Sequence, residues 1–250
     1  MMTALFHKLR VWAVDYVHAG AMHARALLTW GVPVSFATGD PGKPTIVLLP
    51  GVYERWSFLR PIAERLNADG YPISVVHGLG YNRRPIVDTS ERLARALSRV
   101  RANPAGRLVV AHSKGGLVGK HLLLTGDDLH LRGLVAVCTP FGGSRYARFV
   151  LGSTLRAFMP TDETIVSLGN SSGVNGAIVS VFGGFDPHVP DGSVLTGATN
   201  VLLPVDGHFR ILSRTETIDA VSEGVQLLVE TTEHPMRDHA GAGTVSGDDR

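Results

Sequence analysis

The sequence predicts an α/β domain in which a mostly parallel central sheet is covered by helices on both faces. Several short apolar runs lack the polar alternation of a half-exposed strand, which is typical of strands buried on both sides. These runs alternate with stretches of helical apolar spacing. The chain has 250 residues, of which 44% are hydrophobic and 18% charged, a balance that suits one large domain and excludes disorder throughout.

The chain divides into three predicted segments. Residues 1–30 are expected to form an amphipathic helix whose apolar positions share one face: Leu5, Leu9, Trp12 and Tyr16. We expect this face to pack against the rest of the protein, although the same pattern permits peripheral contact with a lipid surface. Residues 31–230 form the α/β domain, and residues 231–250 lack apolar periodicity, which predicts a mobile tail.

Within the α/β domain, strands and helices are predicted from apolar spacing and from turn residues. The strands cover residues 32–38, 45–49, 73–76, 108–112, 134–138, 177–182 and 200–203, the first of them as a short edge strand. The helices cover residues 54–67, 88–100, the stretch after Ser113 and residues 216–229. Residues 145–170 are irregular and partly helical, and we interpret them as a small cap-like insertion.

The segment around Ser113 is the most informative part of the sequence. An apolar, β-branched run stops at this serine, and small residues follow before a helical stretch. This pattern is typical of a nucleophile elbow, in which a strained turn between strand and helix exposes a serine hydroxyl. Gly115 provides the small neighbour that such a turn needs, while Ala111 stands where glycine is commoner. An ordinary strand-to-helix turn is the alternative interpretation.

A serine hydroxyl becomes a good nucleophile only when a base takes its proton and an acid orients that base. In a parallel sheet we expect both partners at the carboxyl ends of later strands, the acid first and the histidine second. Asp186 opens the loop after the strand 177–182 and is the predicted acid. Asp191 and Asp206 are the alternatives for this role. His208 follows the last predicted strand and is the predicted base.

The chain contains eleven histidines, so the choice of His208 depends on its position. His112 precedes the serine, but its side chain is expected to leave the strand on the opposite side. His188 lies too close to Asp186 in sequence to be the first choice. His77 ends a predicted strand but fits no expected position.

Two main-chain N–H groups are predicted to stabilise a developing oxyanion. Lys114 directly follows the serine, where this donor is expected. Val52 lies in the loop after the strand 45–49, where Pro50 and Gly51 let the main chain approach a ligand. An ordinary turn would also explain this loop.

Taken together, these motifs resemble the α/β-hydrolase superfamily near its lipase and esterase branch. The resemblance covers most of residues 30–230 and depends on residues 49–51, 111–116, 139–144, Asp186 with Val189, and Gly207 with His208. It implies the α/β-hydrolase fold and hydrolysis through an acyl-enzyme. The departures are Ala111 and the Pro50-Gly51 pair, where many lipases carry His-Gly.

The function predicted on this basis is that of a serine carboxylester hydrolase acting on small or lipid-like acyl esters. An acyltransferase with the same three residues and a non-catalytic, hydrolase-like binding protein are the alternatives. Four aromatic side chains are predicted to contact the substrate: Tyr53, Trp56, Phe149 and Phe158. We expect no cofactor and no metal, because the sequence lacks the clustered Cys, His and Asp spacing of a zinc site.

Charge and cysteine content restrict the partners and the compartment. The net charge is +2 without a dense Lys/Arg stripe, so nucleic-acid binding has no support. The single cysteine, Cys138, cannot form an intramolecular disulfide, which fits a reducing compartment and predicts a cytoplasmic location. Asp15, His18, His23 and Arg25 interrupt the N-terminal apolar stretch, which argues against a signal peptide. No stretch is predicted to span a membrane, and the oligomeric state stays open.

Overall fold

The computed structural model describes residues 2–28, 31–149 and 152–233, and its centre is one parallel sheet. In chain order the strands are β1 (Thr45–Leu49), β2 (Ile73–Val75), β3 (Arg107–His112), β4 (Leu131–Val137), β5 (Ile178–Gly183) and β6 (Thr199–Leu203). Their order in the sheet is β2-β1-β3-β4-β5-β6, and all five pairings are parallel. The chain reverses its direction of progress across the sheet between β1 and β3, where open α/β sheets bind ligands.

In the described part of the chain, seven α-helices surround the sheet. They are α1 (Met2–Leu28), α2 (Arg60–Ala68), α3 (Ile86–Ser98), α4 (Lys114–Thr125), α5 (Ser153–Arg156), α6 (Glu163–Asn170) and α7 (Thr215–Glu233). Among the residues that the structure describes, no helix combines the length and the apolar character that crossing a bilayer requires.

The core has two halves because successive strand residues point to opposite faces. In β1, Ile46 and Leu48 join the half that includes residues of α1, α2 and α7. Val47 and Leu49 join the other half, with residues of α3, α4 and α6. Both faces of the central strands are therefore buried, which explains their continuous apolar runs. The predicted fold class, a parallel sheet with helices on both faces, is confirmed.

The packed face of α1 differs from the predicted one. Leu5, Leu9 and Tyr16 are 59%, 57% and 49% exposed, although we expected them to pack against the domain. The buried positions are instead Val11, Asp15, Ala19, Met22 and Ala26. The apolar pattern was misleading because the buried stripe contains a carboxylate whose partners are main-chain N–H groups far along the chain.

Several predicted boundaries also change. The predicted edge strand over residues 32–38 is a 3-10 turn over Val34–Ala37, in which the N–H of Phe36 donates to the carbonyl of Pro33. The edge strands of the sheet are β2 and β6. The helix predicted over residues 54–67 begins with a 3-10 turn, and α3 starts at Ile86 after Pro85. Helix α7 extends to Glu233, three residues into the predicted tail, whose remaining residues lie outside the described part of the chain.

The predicted cap-like insertion contains a 3-10 turn over Arg145–Phe149, followed by α5 and α6. Val150 and Leu151 of this segment lie outside the described residues. Ile165 and Leu168 of α6 are buried against the core half that contains α3 and α4. Ala147 and Phe158 of the same segment are buried in this half as well, so the segment packs on the domain at several points.

Candidate active site

Ser113 lies in a strained turn between β3 and α4. Its φ and ψ are 51° and −122°, a left-handed conformation that a residue with a Cβ atom adopts only when its surroundings impose it. The following glycines explain how the turn fits. A Cβ atom on Gly115 would lie 2.2 Å from the carbonyl oxygen of Leu49, and one on Gly116 would lie 2.0 Å from Oγ1 of Thr139. The small residues thus let α4 approach the ends of the strands.

The structure brings Ser113, His208 and Asp186 together in one hydrogen-bonded line. The Oγ atom of Ser113 lies 3.0 Å from Nε2 of His208. On the other side of the imidazole, Nδ1 lies 2.8 Å from Oδ2 of Asp186. All three residues are buried, and each stands at the end of a strand or in the loop that follows one. The three side chains are therefore placed to exchange a proton.

Asp186 is held as a carboxylate by main-chain donors as well as by the histidine. Its Oδ1 accepts the N–H groups of His188 and Val189 at 2.7 and 2.9 Å. Burial by itself raises the pKa of Asp186, but the charge of His208 and these hydrogen bonds outweigh it and lower the pKa below its usual value. Asp186 therefore carries the negative charge that orients an imidazole.

His208 has the properties of a base that can take up a proton. Burial by itself lowers its pKa, but the adjacent Asp186 carboxylate more than compensates, and Glu54 and Asp15 add to the effect. The net pKa of His208 is raised above that of an ordinary histidine. With Nδ1–H directed at Asp186, the neutral ring leaves Nε2 free to accept the hydroxyl proton of Ser113.

A mainly apolar cavity of about 250 Å³ opens beside Ser113 and His208. Its apolar lining includes Val52, Ala147, Leu155, Phe158, Val189 and Phe209. Tyr16 of α1 and Tyr146 also line it, and both side chains are partly exposed. The cavity can therefore hold an apolar group next to the serine hydroxyl.

Comparison with solved structures identifies the architecture. The fold is similar to that of mature Bacillus licheniformis lipase BlEst2, with a TM-score of 0.59 and 17% identity over 79% of this chain and 96% of that one. Aspergillus fumigatus lipase B gives a TM-score of 0.59 and 18% identity over 81% of this chain and 55% of that one. Est1E from Butyrivibrio proteoclasticus, solved with ferulic acid bound, gives a TM-score of 0.57 and 15% identity over 78% of this chain and 92% of that one.

The chain has the α/β-hydrolase fold. No protein-family model matches its sequence, and no curated protein is similar to it by sequence. At identities of 15%, 17% and 18%, the likeness to these solved structures establishes the fold alone.

Within this α/β-hydrolase fold, the two predicted oxyanion donors are Val52 and Lys114. Val52 lines the cavity together with Ser113. Lys114 opens α4, so its N–H belongs to the first turn, where amide groups lack a partner within the helix. Its side chain is buried, and Nζ donates to main-chain carbonyls of Asn82 and Arg84. The role of these two N–H groups as oxyanion donors stays a prediction.

Only one of the four aromatic residues predicted to contact substrate lines this cavity, and that residue is Phe158. Phe149 is 70% exposed, with the Arg148 guanidinium 4.5 Å from its ring centre. Trp56 packs edge-to-face on Phe36 and lines a separate depression that does not include Ser113. Tyr53 has a left-handed main chain, and its side chain faces a separate surface depression near Tyr81. The apolar character of these side chains was visible in the sequence, but their direction was not.

Glu54 and His112 form a buried pair next to His208 in this hydrolase fold. The carboxylate oxygens of Glu54 lie 2.8 and 3.0 Å from Nδ1 of His112, and Oε2 also accepts the N–H of Gly51 at 2.7 Å. Nε2 of His112 lies 3.0 Å from the carbonyl oxygen of His208. Both ring nitrogens of His112 thus lie within hydrogen-bond distance of an oxygen atom.

The sequence did not point to three residues near the triad. Glu54 follows the predicted oxyanion loop but belongs to no pattern, and Asp15 was assigned away from the packed face of α1. His188 stacks against His208, with ring centres 4.8 Å apart. Burial lowers the pKa of His188 to about 3, and its buried Nε2 has no hydrogen-bond partner within the described part of the chain. Only the closeness of His188 to Asp186 in sequence indicated that it would lie nearby.

One group of side chains has the composition of a metal site. Single atoms of Cys138, Asp186 and His208 lie within 4.8 Å of one another, and all three residues are buried. However, Asp186 and His208 already bond to each other, and burial raises the pKa of the Cys138 thiol well above its usual value. Metals bind the thiolate, so the residues fit a hydrogen-bonded site better than a metal site.

Proposed function

We propose that this chain hydrolyses carboxylic esters through an acyl-enzyme formed on Ser113. The observation that carries the proposal is the line from the Ser113 hydroxyl through His208 to Asp186, with contacts of 3.0 and 2.8 Å. The strained turn at Ser113 and the apolar cavity beside it add support. The lipases and esterases that share the fold agree with this chemistry.

The proposed reaction has two halves. As Oγ of Ser113 attacks the ester carbonyl carbon, its proton passes to Nε2 of His208, and the N–H groups of Val52 and Lys114 stabilise the oxyanion. Collapse of the tetrahedral intermediate breaks the bond to the alcohol, which leaves with the proton from His208. Water then gives its proton to His208, attacks the acyl carbonyl and releases the acid, and the proton returns to Ser113.

The substrate class follows from the cavity. A space of about 250 Å³ with an apolar lining suits an apolar acyl group, with the ester carbonyl next to Ser113. Phe158, Leu155 and Val189 are the side chains that would contact this group. Every proton transfer in this scheme is assigned to Ser113, His208 or water, so the reaction as proposed requires no cofactor.

The test is a fluorophosphonate probe, which reacts with activated serines, followed by mapping of the labelled peptide. We expect labelling at Ser113 that disappears in Ser113→Ala and falls strongly in His208→Ala. Ser180→Ala is the matched control, because this buried serine donates to the carbonyl of Ser193 away from the triad. A folded protein that the probe leaves unlabelled would support a binding protein instead.

Product analysis separates hydrolysis from acyl transfer. The purified protein is given a short-chain acyl ester in water with increasing amounts of a competing alcohol. We expect the free acid to remain the main product at low alcohol concentration. Predominant transfer to dilute alcohol would identify an acyltransferase that uses the same three residues.

We propose in addition that α1 makes peripheral contact with lipid. Leu5, Phe6, Leu9 and Val17 are each more than half exposed, and the basic residues Lys8 and Arg10 lie between them in the sequence. An exposed apolar helix face with basic residues suits an anionic bilayer surface. Co-sedimentation with phosphatidylserine-containing vesicles should fall in a Leu9→Ser, Val17→Ser variant. Equal sedimentation of the variant and the original chain would contradict the contact.

A further inference from the structure

We propose that Asp15 of α1 is a positioning residue for His208, an inference that rests on the proposed hydrolase function. Its Oδ1 accepts the main-chain N–H groups of His208, Phe209 and Arg210 at 3.0, 2.9 and 3.0 Å. One carboxylate oxygen of the first helix thus holds three consecutive amides of the segment that carries the histidine. These partners are separated from Asp15 by more than 190 residues of chain.

The carboxylate of Asp15 lies on the packed face of α1, where its burial costs free energy of folding. Asp15 is 0% exposed and is the only acidic residue in α1. Its Oδ2 is buried and has no hydrogen-bond partner among the described residues. A buried charge with one oxygen unsatisfied costs free energy that an apolar side chain would not cost. If residue 15 served only to pack α1 on the domain, an aliphatic side chain would therefore give the more stable protein.

The loop is shaped to admit this carboxylate. Gly207 precedes the histidine and has a φ of +115°. A Cβ atom at this position would lie 2.7 Å from Oδ1 of Asp15 and 2.7 Å from Cγ of Arg210. Glycine is needed both for the main-chain conformation and for the close approach. The two residues therefore fit as a pair, although they come from opposite ends of the chain.

Asp15 works together with His112 on the same residue. Asp15 holds the N–H of His208, and the imidazole of His112 donates to its carbonyl oxygen at 3.0 Å. With the main chain fixed on both sides, the imidazole of His208 is held 3.0 Å from Oγ of Ser113. Displacement of a catalytic group by about 1 Å can reduce turnover by roughly 100-fold.

The charge of Asp15 also affects the titration of His208. The charged or titratable groups around that ring are Asp186 and His188 after β5, Glu54 after β1, His112 at the end of β3, Cys138 directly after β4, and Asp15 on α1. The three carboxylates raise the pKa of His208 against the effect of burial. Loss of the charge at Asp15 should therefore lower the pKa of His208 without removing its contact with Asp186.

The test uses two substitutions in the full chain. Asp15→Ala removes the acceptor, and we expect kcat for a short-chain ester to fall roughly 10-fold to 100-fold with little change in KM. Asp15→Asn keeps an acceptor oxygen but loses the charge. We expect a smaller fall in kcat, with the acidic limb of the pH–rate profile moved to lower pH. Asp219→Asn is the matched control, because this exposed carboxylate pairs with Arg65 outside the site.

The outcomes are distinct. A folded Asp15→Ala protein with the kcat and pH profile of the original chain would overturn the positioning role, and a lower melting temperature alone would show a structural role. If Asp15→Ala does not fold, Asp15→Asn provides the test. An Asp15→Asn protein with the kcat and the acidic limb of the original chain would then overturn the inference. If the original chain hydrolyses no ester, the proposed function fails, and NMR titration of His208 in Asp15→Asn still tests the effect of the charge. An unchanged titration would then overturn the inference separately.

Discussion

Nε2 of His112 lies 3.0 Å from the carbonyl oxygen of His208, although the two histidines are 96 positions apart in the chain. On its other side His112 meets Glu54, whose Oε2 also accepts the N–H of Gly51. Gly51 directly precedes Val52, the predicted oxyanion donor. The buried pair thus connects the oxyanion loop to the histidine of the triad.

We predict that Glu54→Gln lowers the turnover of an ester substrate roughly 10-fold to 100-fold. The uncharged amide offers only one acceptor oxygen in place of the two carboxylate oxygens that face the N–H of Gly51 and Nδ1 of His112. The main chain at Val52 and at His208 should therefore be held less firmly in position. The measurement is kcat and KM together with the rate of fluorophosphonate labelling at Ser113.

Glu64→Gln is the matched control for this substitution, because Glu64 is an exposed partner of Arg60 on α2. The control should label at the original rate. If Ser113 is labelled as fast in Glu54→Gln as in the control, the pair of Glu54 and His112 has no role in positioning the reacting groups.

The second prediction concerns pH. His208 must be neutral to accept the proton of Ser113, and its pKa is raised above the ordinary histidine value of 6.5 by Asp186, Glu54 and Asp15, despite burial. As the pH falls through this raised pKa, the imidazole becomes protonated and hydrolysis stops. We therefore expect the acidic limb of kcat/KM to have its midpoint above pH 6.5.

His188 provides the control for this assignment. Its pKa is lowered to about 3 by burial and by the charge of His208, so it stays neutral across the measured range. A His188→Gln variant should keep the acidic limb at the original pH. If the limb moves in this variant and is unaffected by Asp15→Asn, a group other than His208 controls the profile.

The third prediction concerns the turn after the nucleophile. Gly115→Ala would place a Cβ atom 2.2 Å from the carbonyl oxygen of Leu49, where main chain rather than a flexible side chain has to move. We expect a loss of about 1–3 kcal/mol in the free energy of unfolding and strongly reduced labelling of Ser113. Thermal unfolding and probe labelling measure the two effects.

Gly169 of α6 is the matched position for a Gly→Ala change, because a Cβ atom there would have no atom within 4 Å. Gly169→Ala should be neutral or slightly stabilising. Equal stability of the two variants would show that the contact between α4 and β1 is not tight.

These residues show what the sequence could and could not predict. The strands and the order of Ser113, Asp186 and His208 were predictable, because burial imposes apolar runs and a parallel sheet gathers the ends of its strands at one edge. Asp15 was not predictable, because its partners are main-chain N–H groups that leave no pattern in the side chains. Tyr53 and Phe149 were assigned from their apolar character, but whether they line the cavity depends on the direction of each side chain.

The last prediction concerns the side chain of Lys114, which is 2% exposed. Its Nζ donates to the carbonyl and side-chain oxygens of Asn82 at 2.8 and 3.2 Å and to the carbonyl of Arg84. Asn82 in turn donates to the carbonyl of Pro50 at 2.8 Å. This lysine therefore connects the turn after Ser113 to the loop before α3 and to the loop after β1.

Burial lowers the pKa of Lys114 from 10.5 to about 8. Between these two pH values the unfolded chain holds a proton at this lysine that the folded chain has released, so the lysine makes the free energy of unfolding rise with pH there. We predict that Lys114→Met removes this rise, and that below pH 8 it lowers stability by about 1–3 kcal/mol, because the carbonyls of Asn82 and Arg84 lose their donor. Urea unfolding at several pH values, with Lys8→Met as the exposed control, measures both effects. If Lys114→Met and the original chain show the same dependence on pH, the lysine keeps its proton throughout and its carbonyl partners, rather than burial, determine its titration.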